Sequence, residues 1–250
     1  LGLRGPALTI STACSSSAKA FAAADRWLQQ GLVDAVLVGG VDSLCLTTLY
    51  GFNSLELTSR DACKPGDANR DGLSIGEAAA YALLVRDGDD TLGPGAGVRL
   101  SGWGESSDAH HMSAPHPEGL GARMAMQQAL QRASLSAADV GYINLHGTAT
   151  PANDAAEGAA VTAVLGRGVA CSSTKGLTGH TLGAAGGLEA VICALALQHQ
   201  FVPPNVGLHT PDPAIALQPT VQAQPARLTH AMSNSFGFGG SNCALVMTKE

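Results

Sequence analysis

Two stretches of this chain repeat one pattern. Residues 7–21, ALTISTACSSSAKAF, and residues 168–187, GVACSSTKGLTGHTLGAAGG, each read as a short strand, a Ser/Thr-rich turn and a helix of small residues. Residues 74–87, SIGEAAAYALLVRD, and 239–250, GGSNCALVMTKE, each read as small residues, an apolar strand and then charge. Self-similarity at a spacing above about 100 residues predicts an internal duplication, two related halves built on one plan. The second copy carries an extra lead-in of strand, helix, strand and helix over about 99–167. The first copy begins almost at its central strand. The first half is therefore expected to be incomplete, with sheet edges and one face uncovered, and the chain to be the C-terminal part of a longer protein.

Hydrophobic periodicity fills in the elements between the repeats. Strands are predicted at 5–12, 34–40, 78–86, 140–148, 168–176, 229–235 and 242–248. Helices are predicted at 15–30, ended by Gly31, at 121–133, at 151–166 with Pro151 near its start, and at 183–200. Alternation of strands and helices predicts an α/β class of packed layers.

The formal net charge of −6 offers no basic face for nucleic acid. No apolar run reaches the roughly 20 residues needed to span a bilayer. Six cysteines, at 14, 45, 63, 171, 193 and 243, lie far apart with no CxxC pair. A chain of this size does not need staples, so reduced thiols in a cytoplasmic setting are expected, all but Cys14 packed as small hydrophobes.

Cys14 stands where a helix begins. Most cysteines are buried filler, but at a helix N-terminus unpaired N–H groups and the macrodipole favour a thiolate, predicting a lowered thiol pKa, and the same N–H groups can hold an oxyanion. His146 follows an apolar strand, and His180 precedes a helix. Both lie at the strand-to-loop or loop-to-helix transitions where open α/β sheets place their sites. The duplication puts His180 on the same kind of helix entry as Cys14, so the two are expected to face each other across a pseudo-twofold axis. HHMSAPH, 110–116, is read as a loop rather than a metal site. Asp154 and Glu157 open a helix, where acidic residues complement the macrodipole, and are assigned a structural role. Lys64, Arg70 and Arg86 are read as solvated charges.

TACSSS, HGTATPAND, SSTKGLTGHTLGAAGGLE and NSFGFGGSN, in this order, resemble the ordered motifs of the β-ketoacyl-ACP synthases, as do RDGLSIGEAAAYALL and GESSDAHHMSAPHPEG. The resemblance runs over nearly the whole chain. It implies a thiolase-like αβαβα layered fold with duplicated halves, here with residues 1–98 as the remainder of the N-terminal half and 99–250 as the C-terminal half. It implies that Cys14 accepts an acyl chain as a thioester, and that His146 and His180 bind the malonyl thioester carbonyl and promote loss of CO2. Lys175 and Glu189 match the supporting pair around the second histidine. The backbone N–H groups of Cys14 and Phe238 match the oxyanion donors, Phe238 a gate between the acyl and malonyl pockets, and Thr148 and Thr150 the contacts to the phosphopantetheine arm. It implies no cofactor and no metal, acyl carrier protein as partner, and a homodimer or a heterodimer with a related ketosynthase.

Two histidines, rather than His with Asn, fit the elongating type, and Cys14 argues against the chain-length-factor homologues, which lack the nucleophile. Cys63 stands where many members carry an aromatic or proline, and Ala149 where many bacterial fatty-acid members have Ser. Fatty-acid, polyketide and aryl-polyene pathways all stay open on these residues. So do two other readings: a Cys–His thioester hydrolase, and a fragment with a structural or partner-binding role only.

Overall fold

The computed structural model describes residues 2–89 and 97–250. The expected junction between halves, after residue 98, follows directly on 90–96, which with Leu1 lie outside the described residues. In chain order the elements are α1 (Ser16–Gln29), β1 (Ala35–Asp42), α2 (Leu46–Ser54), β2 (Ala78–Val85), β3 (Val98–Ser107), α3 (Leu120–Ala133), β4 (Tyr142–Asn144), α4 (Pro151–Leu165), β5 (Ala170–Ser172), α5 (Lys175–Thr178), α6 (Ala185–His199), β6 (Phe201–Val202), β7 (Gln224–Pro225), β8 (His230–Gly237) and β9 (Ser241–Lys249). A one-turn 3₁₀ helix, Leu182–Ala184, leads into α6.

A five-stranded sheet in the order β3-β9-β8-β4-β5 forms the centre. β4 is parallel to both β5 and β8, while β9 runs antiparallel to β8 and β3. Its strands alternate inside a two-sided environment. Cys243, Leu245 and Met247 of β9 join a core with Ala18, Phe21 and Ala22 of α1 and Ala190, Cys193 and Leu197 of α6. Ala244 and Val246, one residue out of phase, join a second core with Ala125, Met126 and Ala129 of α3 and Ala160 and Val161 of α4. Period-2 alternation thus feeds two cores from one strand, which is why β9 reads as a continuous apolar run. α3 lies so close to β3 that a Cβ on Gly104 would overlap the carbonyl oxygen of Ala125.

β1 and β2 pair antiparallel from Ala35↔Val85 to Asp42↔Ala78. They cover the other side of α1 and α6, with Val38 in the same core. The layers are therefore β1–β2, then α1 with α6, then the five-stranded sheet, then α3 with α4. The far face of the β1–β2 ribbon carries Leu37, Val41, Tyr81 and Leu83, all exposed. Among the described residues, that face of the ribbon is left uncovered.

The 18 residues Leu182–His199 are apolar enough to resemble a membrane span, with a mean hydropathy of 1.3. The central position of α6 between two sheets accounts for that composition. Where its first turn meets α1, Gly187 N–H donates to Ser17 Oγ at 2.7 Å. A Cβ on Gly186 would lie 2.6 Å from Ala18 N. Small residues let two helix starts, one from each repeat, touch.

One predicted element is not formed. Residues 5–11 are not a strand, and Thr12 and Cys14 make only an isolated bridge. An apolar, β-branched run becomes a strand only when neighbours take up its backbone groups, and none of the described strands lies beside it. The other predicted strands and helices form, with β4 and β5 trimmed to three residues each.

Candidate active site

The site is built where the carboxyl ends of the parallel strands β4 and β8 meet helix starts. Ala13 is in the left-handed region, φ 51°, and this turn delivers Cys14 to the head of α1. The Ser15 hydroxyl donates back to Thr12 C=O at 2.9 Å, and Thr12 N–H donates to Ser16 Oγ at 2.9 Å. The serines after the cysteine thus tie down the turn.

His180 precedes α6 as Cys14 precedes α1, and its Nε2 lies 2.9 Å from Cys14 Sγ. Their helix starts face each other, as the duplication predicts. His146 leaves β4 and meets His180 edge to face, ring centroids 5.3 Å apart. Phe236, from the end of β8, packs on His146 with centroids 5.7 Å apart. Sulfur and two imidazoles, up to 166 residues apart in sequence, converge in one buried place.

Burial pushes both imidazoles well below the usual histidine range, and the Lys175 charge adds to it. Both rings are neutral at pH 7, each with one N–H and one bare nitrogen. Burial pushes the Cys14 thiol up to about 11, against the pull of Lys175 and of backbone N–H groups from Phe238 and from Cys14 itself. This corrects the expectation of a lowered pKa, because desolvation at this depth outweighs the helix N-terminus. The resting thiol is protonated, and its sulfur lies within hydrogen-bond reach of His180 Nε2. The two backbone N–H groups at the sulfur are the pair expected for an oxyanion.

Lys175 and Glu189 form a buried ion pair behind the histidines. Burial raises the Glu189 carboxyl to about 7, with Lys175 pulling the other way. Thr148 and Thr150 are buried, with hydroxyl oxygens 3.0 Å apart. Phe238 stacks obliquely on Phe52 of α2, ring centroids 5.5 Å apart.

Cys14, His146, His180, Thr148, Thr150 and Phe238 open onto one cavity of about 250 Å³ that reaches solvent, while Lys175 and Glu189 lie outside its lining. Phe236 and Gly237 at the end of β8 line it as well. Phe52, Leu57 and Leu73 also line it. Sequence reasoning missed these three, since α2 shows no clear period and carries no buried residue. Ser113, Ala114 and Pro115 of the His-rich loop also line the cavity. Among the described residues no group of three or more His, Cys, Asp or Glu side chains is arranged to hold a metal.

Two acidic residues do more than complement a helix dipole. Glu157 accepts the backbone N–H of His146 and of Gly147, each at 2.8 Å, and the Asn234 side chain at 3.0 Å. Asp154 accepts Gly66 N–H at 2.9 Å and Ala149 N–H at 3.1 Å. Arg70, read as solvated, is buried, 3.5 Å from Asp154 and 2.6 Å from Asp212. The cysteines are all free, as expected, but Cys45 is exposed rather than packed.

Two family models match. The model described as β-ketoacyl synthase, N-terminal domain, covers residues 1–90, and that described as β-ketoacyl synthase, C-terminal domain, covers 98–209. The chain belongs to the β-ketoacyl synthase family. The 3-oxoacyl-[acyl-carrier-protein] synthase 2 of Vibrio cholerae is 36% identical over 99% of this chain. Its counterpart from Staphylococcus aureus (strain COL) is 38% identical over 100%. The chain spans 63% of the length of each of these curated relatives.

Solved structures agree on the fold. A ketosynthase (ApeO) in complex with its chain length factor (ApeC) from Xenorhabdus doucetiae is 47% identical, with a TM-score of 0.90 over 98% of this chain and 61% of that one. A type II PKS acyl-carrier protein in complex with its ketosynthase bound to the hexaketide (AntDE:AntF) gives a TM-score of 0.93 at 30% identity, over 98% of this chain and 64% of that one. The thiolase-like layered fold of β-ketoacyl synthases is thereby borne out for this chain.

Proposed function

We propose that the protein is an elongating β-ketoacyl-ACP synthase, joining a malonyl thioester to an acyl chain held on Cys14. The observation that carries the reading is the convergence of Cys14, His180 and His146 on one cavity whose sulfur faces two backbone N–H groups. Residues 1–98 and 99–250 are its two halves, and each supplies one side of that cavity.

The chemistry follows from the protonation states. An acyl thioester enters, and Sγ of Cys14 bonds to the acyl carbon as the Cys14 proton passes to the departing carrier thiol. A malonyl thioester then binds with its carbonyl oxygen toward the N–H groups of His146 and His180. Loss of CO2 leaves its electron pair on the α-carbon, and the developing enolate oxygen is held by neutral N–H donors. That carbon attacks the Cys14 thioester. The tetrahedral oxyanion is received by the N–H groups of Cys14 and Phe238, and its collapse breaks the C–S bond and expels the Cys14 thiolate, which takes up a proton from solvent. Covalent anchoring turns a three-body encounter into two ordered steps. Decarboxylation supplies the carbanion without a strong base, so the mechanism calls for no cofactor.

Lys175 and Glu189 support His180 electrostatically, and Thr148 with Thr150 hold the arm of the carrier. Acyl carrier protein delivers both substrates, and the partner is a second ketosynthase-like chain, as the solved ketosynthase–chain length factor pair illustrates. The similarity to ApeO and to a type II polyketide ketosynthase supports an aryl-polyene or polyketide pathway beside the fatty-acid one. The kinship with bacterial synthases supports a cytoplasmic setting.

Incubation with acyl and malonyl carrier proteins tests this reading. A β-ketoacyl thioester product with release of CO2 is expected. Hydrolysis of the acyl thioester without carbon–carbon bond formation favours the Cys–His hydrolase, and no turnover of either kind favours a structural role.

A further inference from the structure

His180 is held by a segment that belongs to the other repeat. Its backbone N–H donates to Ser74 C=O at 2.7 Å, and its C=O accepts Gly76 N–H at 3.0 Å. Ile75 and His180 therefore form a parallel β-bridge. The fit is tight, since a Cβ on Gly76 would overlap the carbonyl oxygen of Thr178.

The same ribbon is pinned one residue earlier. Leu73 N–H donates to Leu57 C=O and Leu73 C=O accepts Ser59 N–H, both at 2.8 Å. The Leu73 side chain is 2% exposed and lines the cavity beside Leu57 and Phe52. Within four residues the chain goes from a side chain in the cavity wall to the backbone bonds that fix the imidazole on Cys14.

We infer that Leu73 is a positioning residue: its packing in the cavity wall sets the ribbon Leu73–Gly76, and through the two backbone bonds the ribbon sets His180 against Cys14. Shortening Leu73 leaves space into which the ribbon relaxes, because cores collapse only partially around a lost side chain. His180 follows, since its main chain is bonded to that ribbon on both sides. A bulky acyl chain that presses on Leu73 displaces the same bonds.

The test uses the full-length protein and two readouts. The first is alkylation of Cys14 by iodoacetamide across pH, which needs no carrier; the groups facing the thiol are His180, His146, Lys175 and Glu189. The second is CO2 release from malonyl carrier protein. Leu73→Ala is expected to slow both at pH 7 by about tenfold, the scale of a small misplacement of a catalytic group, and to alter the alkylation pH profile. Leu73→Met, which keeps the volume, restores both. If Leu73→Ala melts too low to assay, Leu73→Val is read in its place. A wild-type alkylation profile in the shortened variant, with only the KM for acyl substrate changed, overturns the inference and leaves Leu73 as wall alone. The CO2 readout rests on the condensation reading, whereas alkylation reads only thiol and imidazole. Altered alkylation in a protein that never decarboxylates malonyl thioester would sink the condensation reading and leave the positioning intact.

Discussion

Glu157 binds His146 by its main chain, not its ring: one carboxylate oxygen takes the His146 N–H at 2.8 Å and the other takes that of Gly147. The imidazole nitrogens stay available to the cavity while the loop after β4 is fixed. A third donor, the Asn234 side chain, ties the same carboxylate to β8.

Glu157→Ala leaves buried donors without an acceptor, a cost of about 1–3 kcal/mol. Chemical denaturation is expected to show a loss on that scale. CO2 release from malonyl thioester should fall more than Cys14 alkylation does, because the damage falls on His146. Equal losses in both assays would argue against a role confined to that loop.

Acid sensitivity follows from the two imidazoles. Their pKa values are depressed in the folded protein, while the unfolded chain takes up protons from about pH 6.5 downward. Below that pH the unfolded state binds more protons, so stability falls as pH drops. Denaturation midpoints at pH 7.5 and 5.5 check this. The variant His146→Gln/His180→Gln should show a shallower decline than the parent, and an equal slope would contradict it.

Packing of α3 on β3 depends on Gly104. A methyl group there meets the main chain of Ala125, which has no flexible end to move aside. Gly104→Ala is expected to destabilise the protein by at least about 1–3 kcal/mol through overpacking, seen as a lower melting temperature with Cys14 still alkylated at the parent rate below the transition.

Phe52 and Phe238 touch ring to ring and both line the cavity that Cys14 opens onto. Phe52→Ala should extend the range of acyl chains loaded onto Cys14 toward longer ones, read by mass spectrometry of the acylated protein. An unchanged length profile would mean that the ring does not bound the acyl space.

The duplicated turn-and-helix pattern made the pairing of Cys14 with His180 legible before any coordinates. The amphipathic patterns of α1 and α3 and the continuous apolar runs of α6 and β9 carried much of the fold. Four features were not legible, each for a physical reason. Residues 5–11 carry strand composition, yet a strand also needs neighbours, which a local pattern does not report. The Cys14 thiol is raised because desolvation depends on the depth of burial, which sequence position does not encode. Phe52, Leu57 and Leu73 reach the cavity from loops and a short helix with no period, and Arg70 meets Asp154 and Asp212 only through the tertiary fold.

The central claim is that the Cys14 sulfur takes the acyl chain. Intact-mass measurement of the protein after incubation with acyl carrier proteins of several chain lengths tests it most directly. The account predicts a mass increase of one acyl group that is lost in Cys14→Ala and released when malonyl carrier protein is added. An adduct that persists in Cys14→Ala, or condensation product formed by that variant at the parent rate, would contradict it.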